Sequence, residues 1–281
     1  MPKFLTDQQV EQYHRDGFVS PVRVMPEEEA ISLRSKIEVF EASQGEPIHG
    51  TQKTKAFLRF PWAYDLVMRP EILDAVEDVM GPDILCYQHG TWFKEPESGS
   101  YVSWHQDATY YGMDPWALLS AWVALTVVDD ISGCIQVVPG SHKGGSYPVE
   151  YTERSEENLL ASGQNTLYEF DEADAVSFHL RPGEMSFHHV CLVHSSKPNH
   201  GTDRRMGLSA GYVPPHVKQT TELKATAMLV RGKDDYGHYL PNELRPVAHD
   251  DPATIERQEK SVELYRQKSI ECGNQTAWRL G

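Results

Sequence analysis

Ala175-Val176-Ser177-Phe178-His179-Leu180-Arg181-Pro182-Gly183-Glu184-Met185-Ser186-Phe187-His188-His189 holds two short apolar-rich runs with a turn between them. Short runs with β-branched and aromatic residues read as strands. Pro-Gly between them reads as a turn, because proline presets φ and glycine tolerates the left-handed region. The same texture continues outward. Runs at 84–94, 101–104, 118–128 and 134–138 lie upstream, and one at 205–213 lies downstream. Glu97-Ser98-Gly99, residues 129–133 and Pro139-Gly140-Ser141 part them as turns. Many short strands punctuated in this way predict a mainly β fold, a jelly roll or double-stranded β-helix.

Further out the hydrophobic period changes to that of helices. Thr6 and Gln9 have capping-box spacing, and Val10, Tyr13 and His14 share a face up to Gly17. A second helix is expected over 26–42, where Glu27-Glu28-Glu29 suits the positive end of the helix dipole. A third is expected over 71–80, stopped by Gly81-Pro82. Residues 252–272 return to helix, with Ile255, Val262, Leu264, Tyr265 and Ile270 as the apolar stripe. An acidic insert at 145–175 has little periodicity and reads as a surface loop or lid. The 281 residues contain no repeat or linker, so one domain is expected. Its parts would be a helical 1–82, a jelly-roll core at 83–215 and a C-terminal helix within 250–281, the helices buttressing the sheets.

Composition narrows the function classes. Acidic residues number 41 and basic residues 26, a net charge of −15 that repels phosphate backbones and argues against nucleic acid. No apolar run approaches the roughly 18 residues of a membrane span. The start, Met1-Pro2-Lys3-Phe4-Leu5, lacks a signal-peptide core, so a cytoplasmic protein without membrane partners is expected. Cys86, Cys134, Cys191 and Cys272 lie far apart with no CxxC pair, against a disulfide framework or a zinc-thiolate site.

There are 13 histidines, and the question is which do chemistry. In an extended segment His105 and Asp107 point to one side and Gln106 to the other. An imidazole and a carboxylate are two thirds of the facial triad of non-haem Fe(II) oxygenases. His188, His189 and His194 all qualify as the third ligand, and alternation puts His188 and His194 on the same side. Asn199 follows, and then Arg204-Arg205 at the head of an apolar run. A guanidinium there, from either arginine, suits bidentate capture of a dicarboxylate held against the metal.

These residues carry a family resemblance. From about Phe4 to about Asp235 the chain resembles the phytanoyl-CoA dioxygenase family of Fe(II)- and 2-oxoglutarate-dependent oxygenases. Four stretches bear it: Phe93-Lys94-Glu95-Pro96 to His105-Gln106-Asp107; Trp122-Val123-Ala124-Leu125; Gly133-Cys134 to Pro139-Gly140-Ser141-His142; and His194-Ser195-Ser196 to Asn199 and Arg205. The last resembles the family's H-x-S-x-x-N with an arginine eleven residues after the histidine.

The resemblance implies a cupin-like core, with His105, Asp107 and His194 as catalytic Fe(II) ligands. It implies that Arg205 pairs with the distal carboxylate of 2-oxoglutarate, with Ser196 beside it. Trp122 and Thr91 would line the cosubstrate pocket, and O2 would be the other cosubstrate. Halogenating members of the wider family replace the metal carboxylate with a small residue; Asp107 therefore favours hydroxylation. The expected substrate is a small polar metabolite, such as an amino acid derivative or an aminoalkylphosphonate. Tyr110, Tyr111 and Trp116 are candidate pocket walls, Lys55, Arg59 and Arg69 candidate anion holders, and 231–238 a polar loop over the mouth. Two other readings compete: a non-oxidative enzyme using zinc or manganese in the same ligands, and a jelly-roll binding module without redox chemistry.

Overall fold

A computed structural model describes residues 2–151, 155, 157–160, 163–241 and 244–272. The N-terminal part comprises α1 (Asp7–Asp16), β1 (Phe18–Arg23), α2 (Glu27–Gln44), α3 (Pro61–Val67) and α4 (Pro70–Met80). Then come β2 (Ile84–Lys94), β3 (Val102–His105), the single turn α5 (Ala108–Tyr111), β4 (Met113–Asp114), β5 (Leu119–Ala124) and β6 (Ile135–Val137). A hairpin of β7 (Val149–Tyr151) and β8 (Gln164–Thr166) precedes β9 (Val176–Ser177), β10 (Glu184–His189), β11 (His194–Ser196) and β12 (Arg205–Val213). The chain ends with β13 (Lys218–Gln219), β14 (Thr226–Arg231), β15 (Leu240–Pro241) and α6 (Pro252–Glu271).

Local chemistry sets the helix ends. The Gln9 N–H donates to Thr6 Oγ1 at 3.2 Å and the Thr6 N–H to Gln9 Oε1 at 2.9 Å, the reciprocal capping box of α1. Gly17 ends that helix at φ 86°, where a side chain would be strained.

The strands form a jelly roll. A seven-stranded sheet runs β1-β10-β5-β12-β2-β14-β15 and a four-stranded sheet runs β3-β11-β6-β9. Along β12, Met206, Leu208, Ala210 and Tyr212 join a core with Ile37 of α2, Leu66 of α3 and Leu73 of α4. Each large apolar side chain fully buried there contributes about 1.5–3 kcal/mol. The alternate residues Arg205, Ser209 and Gly211 face the other way, into a cavity between the sheets. The helical layer thus holds the back of the large sheet and leaves its front for polar residues.

Several elements differ from the sequence expectation. The 118–128 run is a strand only over Leu119–Ala124, and then turns so that Thr126 Oγ1 accepts the Met206 N–H at 3.0 Å. The 175–180 run pairs only at Val176–Ser177, with a single further bridge from Leu180 to Val128. The acidic insert is not structureless, since it contains the β7–β8 hairpin. It is tied to the residues around β3: Tyr147 N–H donates to Gln106 Oε1 at 2.7 Å, and Asn158 Nδ2 to Ser103 Oγ at 3.0 Å. On α6 the buried face is Thr254, Gln258, Ser261, Val262, Tyr265 and Lys268, whereas Ile270 is exposed. Residues 273–281 of the expected C-terminal segment lie outside the described residues. Among the described residues, no helix is long and apolar enough to cross a membrane.

Candidate active site

A cavity lies between the sheets, lined by side chains of both. His105 ends β3 and His194 opens β11, and the two are register partners across an antiparallel pair. Their ring centroids are therefore only 4.0 Å apart. Asp107 is not on an extended strand as its spacing suggested; its backbone is already helical (φ −59°, ψ −29°) at the head of α5. Its carboxylate still turns towards the two imidazoles.

Hydrogen bonds fix the tautomers. His105 Nδ1 lies 2.9 Å from the Ser103 carbonyl and 3.1 Å from that of His194; His194 Nδ1 lies 2.9 Å from the Leu192 carbonyl. A carbonyl only accepts, so each Nδ1 carries the proton and each Nε2 keeps its lone pair. Those two Nε2 atoms lie 3.6 Å and 3.9 Å from Asp107 Oδ1. The three ligand atoms fall within 4.8 Å of one another. Ser120 Oγ donates to Asp107 Oδ2 at 2.8 Å, leaving Oδ1 for the centre of the group.

The electrostatics suit a cation. Burial alone would raise the Asp107 carboxyl, but the imidazoles of His105, His188 and His194 outweigh it and hold the group well below the usual carboxylate range. Burial, with the neighbouring imidazoles, pushes His194 well below the usual value, so it is neutral as a metal ligand must be. Two lone-pair nitrogens and an ionised oxygen converging on one point fit Fe(II).

The other end of the cavity is cationic. Arg205 is 2% exposed; its Nη1 donates to the Gly133 carbonyl at 2.9 Å, its Nε has no acceptor, and its guanidinium lies 5.3 Å over the Trp122 ring. Lys94 is its partner across β2 and β12. Lys94 Nζ donates to Ser196 Oγ at 2.7 Å and to the carbonyls of Ser196 and Lys197, all neutral acceptors. Burial, with the Arg205 charge beside it, pushes Lys94 down to about 6; burial pushes Arg205 down to about 10. A buried guanidinium without a counter-charge is costly, so this end suits an anion, which would also favour the charged form of Lys94. Lys94 falls within one of the sequence motifs but has no role there; its place opposite Arg205 emerges only from strand pairing.

The remaining candidates separate cleanly. Trp122, Ser196 and Tyr111 line the cavity. Thr91 does not: it pairs with Leu208 and faces the helical core with it, because odd and even residues of β2 point to opposite sides. Arg204 is engaged by Glu41 at 2.7 Å and Glu95 at 2.8 Å, which leaves Arg205 as the cavity arginine. His189 points out of the cavity and accepts the Cys191 N–H at 3.1 Å. Tyr110 is buried in a separate core, and Trp116 lines an open groove elsewhere. Lys55 is buried against Thr226, Arg69 bonds Glu29 and the Val24 carbonyl, and Arg59 lies over Phe60; none lines the cavity. The 231–238 loop is held at its start by Arg231 on Asp74 and Glu77 of α4 and by the Lys233 N–H on Asp83, and none of its residues lines the cavity. His188, which the sequence motifs do not single out, does line the cavity.

Comparison with known proteins agrees with this geometry. The family model for phytanoyl-CoA dioxygenase (PhyH) matches residues 13–207. The chain belongs to the phytanoyl-CoA dioxygenase family. Its enzyme class follows: a non-haem iron, 2-oxoglutarate-dependent dioxygenase. A probable alpha-ketoglutarate-dependent hypophosphite dioxygenase of Stutzerimonas stutzeri is 30% identical over 213 residues, covering 75% of this chain and 71% of that one. The peroxisomal phytanoyl-CoA dioxygenase of Bos taurus is 32% identical over 149 residues, 51% of this chain but 43% of that one. Among solved structures, the apo form of the non-heme monooxygenase ThoJ superposes with a TM-score of 0.84 at 30% identity, covering 95% of this chain and 99% of that one.

Proposed function

We propose that this chain hydroxylates a C–H bond of a small polar metabolite, such as an amino acid derivative or an aminoalkylphosphonate, releasing succinate and CO2. The observation that carries the proposal is a single cavity whose lining brings together a His-Asp-His group and the buried guanidinium of Arg205, with Lys94 paired beside that arginine. His105 Nε2, Asp107 Oδ1 and His194 Nε2 hold Fe(II). Bound there with 2-oxoglutarate, iron activates O2 and supplies the oxidant. Arg205 and Lys94 receive the far carboxylate of 2-oxoglutarate, Ser196 orients the Lys94 ammonium, and the Trp122 ring backs the guanidinium. Ser120 keeps Asp107 from rotating.

A cavity set between two sheets and walled by Trp92, Trp122 and Tyr111 supports a small substrate. So does the hypophosphite of the Stutzerimonas relative's name. Helical part, β core and α6 act as one catalytic domain, a reading supported by the way the first and last pack on the same large sheet.

The test is an anaerobic Fe(II) titration of metal-free protein, with and without 2-oxoglutarate, watching for the weak visible charge-transfer band of the ternary complex. The band is expected only with both components, and not in His194→Ala. Iron bound by folded wild-type protein without any such band would refute the proposal.

A further inference from the structure

Opposite the cofactor end, four register-matched residues cross the front of the large sheet: Gln88 on β2, Gly211 on β12, Ser120 on β5 and His188 on β10. All four line the cavity. Gly211 lies six residues along β12 from Arg205, a rise of roughly 20 Å, so this row is well clear of the cosubstrate's far carboxylate. Its chemistry is incomplete. Among the described residues, Gln88 Oε1 is buried with no hydrogen-bond donor, and both ring nitrogens of His188 are buried without a partner. His188 is 3% exposed, and its Nε2 stands 3.8 Å from Asp107 Oδ2, too far for a hydrogen bond. Between these polar groups Gly211 contributes no side chain, and a Cβ there would lie 3.2 Å from Gln88 Cβ. Among the described residues, the lining of this row includes no lysine or arginine.

We infer that the row is the seat of the primary substrate, and that the substrate presents an N–H or O–H group to Gln88 while its reacting end lies beside His188 and Asp107. A buried amide oxygen without a donor is expensive, and a ligand that supplies one recovers that cost. With two strand spacings between Gln88 and Ser120, the donor group sits on the order of 10 Å from the Asp107 end. The absence of a basic residue in the row's lining disfavours a carboxylate or phosphonate at that position; such a group would have to point out of the mouth. Gly211 leaves the trough along which the substrate lies. The assignment rests on the oxygenase reading above.

The experiment uses matched pairs of small compounds: primary amides, amines and alcohols, each beside its methyl-terminated isostere. Succinate formation is measured in wild type, Gln88→Met and Gly211→Val, with the Fe(II)–2-oxoglutarate band recorded for each. The donor-bearing member of a pair should be preferred by at least tenfold in wild type. That preference should collapse in Gln88→Met, and turnover should be lost in Gly211→Val while the band persists. In the substrate-free state Gln88→Met should melt no lower than wild type, since the amide oxygen it removes has no partner in the fold. Equal turnover of both members, a preference untouched by Gln88→Met, or a lower melting temperature for that variant overturns the assignment. A panel silent throughout, with the band present, overturns the donor-bearing substrate class and the assignment that depends on it. Loss of the band in wild type instead removes the oxygenase reading and this assignment with it.

Discussion

Lys94 and Arg205 hold two basic groups side by side in a space that water scarcely reaches, and the consequence is measurable. Because burial and Arg205 push Lys94 down to about 6, it is mostly neutral at pH 7 in the ligand-free protein. A dicarboxylate favours its charged form, so binding takes up a proton. The sign follows: affinity for 2-oxoglutarate is greatest below pH 6 and weakens as pH rises above it, by up to tenfold per unit until the pKa of the complex is reached. Calorimetric titrations across pH 6–9 should show this slope, and Lys94→Met should flatten it. Arg205→Ala removes a charge-assisted bond worth about 1.5–3 kcal/mol and should weaken 2-oxoglutarate binding by roughly 10- to 100-fold. Unchanged affinity would contradict its role. A buried histidine on β2 contributes to acid sensitivity. His89 is fully buried, and burial pushes it down to about 3, below its unfolded value of about 6.5. Between those values only the unfolded chain holds the extra proton, so stability falls as pH drops through that window. His89→Leu should lessen the loss of stability between pH 7 and 5, read by urea melts at each pH.

Strands carry the site by register, and β12 bears the closest constraint. Gly207 faces Trp122 so tightly that a Cβ would sit 1.7 Å from the indole ring. Gly207→Ala must therefore displace the ring that backs Arg205. Overpacking of this kind costs about 1–3 kcal/mol, and here 2-oxoglutarate affinity should fall with it. A variant as stable and as tight-binding as wild type would show that the ring has room to move. The same strand also indicates what the sequence makes legible. Its apolar alternation is unbroken, and its bounds, like those of β2 and β10, are the ones expected. β1 escapes a sequence reading because Pro21 interrupts Phe18-Val19-Ser20-Pro21-Val22-Arg23, and its register with β10 indeed slips between Val19 and Val22. β14 escapes it because Ala227-Met228-Leu229 at its centre are helix formers rather than β-branched or aromatic residues. At the site, the family resemblance singles out His194, whereas alternation alone puts His188 and His194 on one side, and both line the cavity. Thr91 illustrates the opposite error: a residue near the right motif, one position out of phase with the inward face of β2.

On the scale of the whole molecule, the cavity is held from outside the jelly roll by α6, the last helix. Of the apolar stripe expected from the sequence Val262 and Tyr265 are buried, and polar residues fill the rest of that face. Lys268 Nζ donates to Tyr87 Oη at 3.0 Å and to the Tyr111 carbonyl, and lies 5.0 Å over the Tyr87 ring. Tyr265 packs its ring 5.8 Å from that of Tyr87 and 6.3 Å from that of Tyr111. Tyr111 in turn lines the cavity. The polar part of this face is hidden from a hydropathy pattern, since Thr254, Gln258, Ser261 and Lys268 are types that such a pattern assigns to solvent. The helix therefore couples global stability to one wall of the site. Tyr265→Ala leaves a ring-sized void and should cost about 3–5 kcal/mol in urea unfolding. Because the void opens behind Tyr111 and away from Arg205, the two ends of the cavity should respond differently. Affinity for 2-oxoglutarate should stay near the wild-type value under conditions where the variant is folded, while kcat/KM for the primary substrate should fall. A parallel loss at both ends would mean that α6 supports the sheet as a whole rather than this wall.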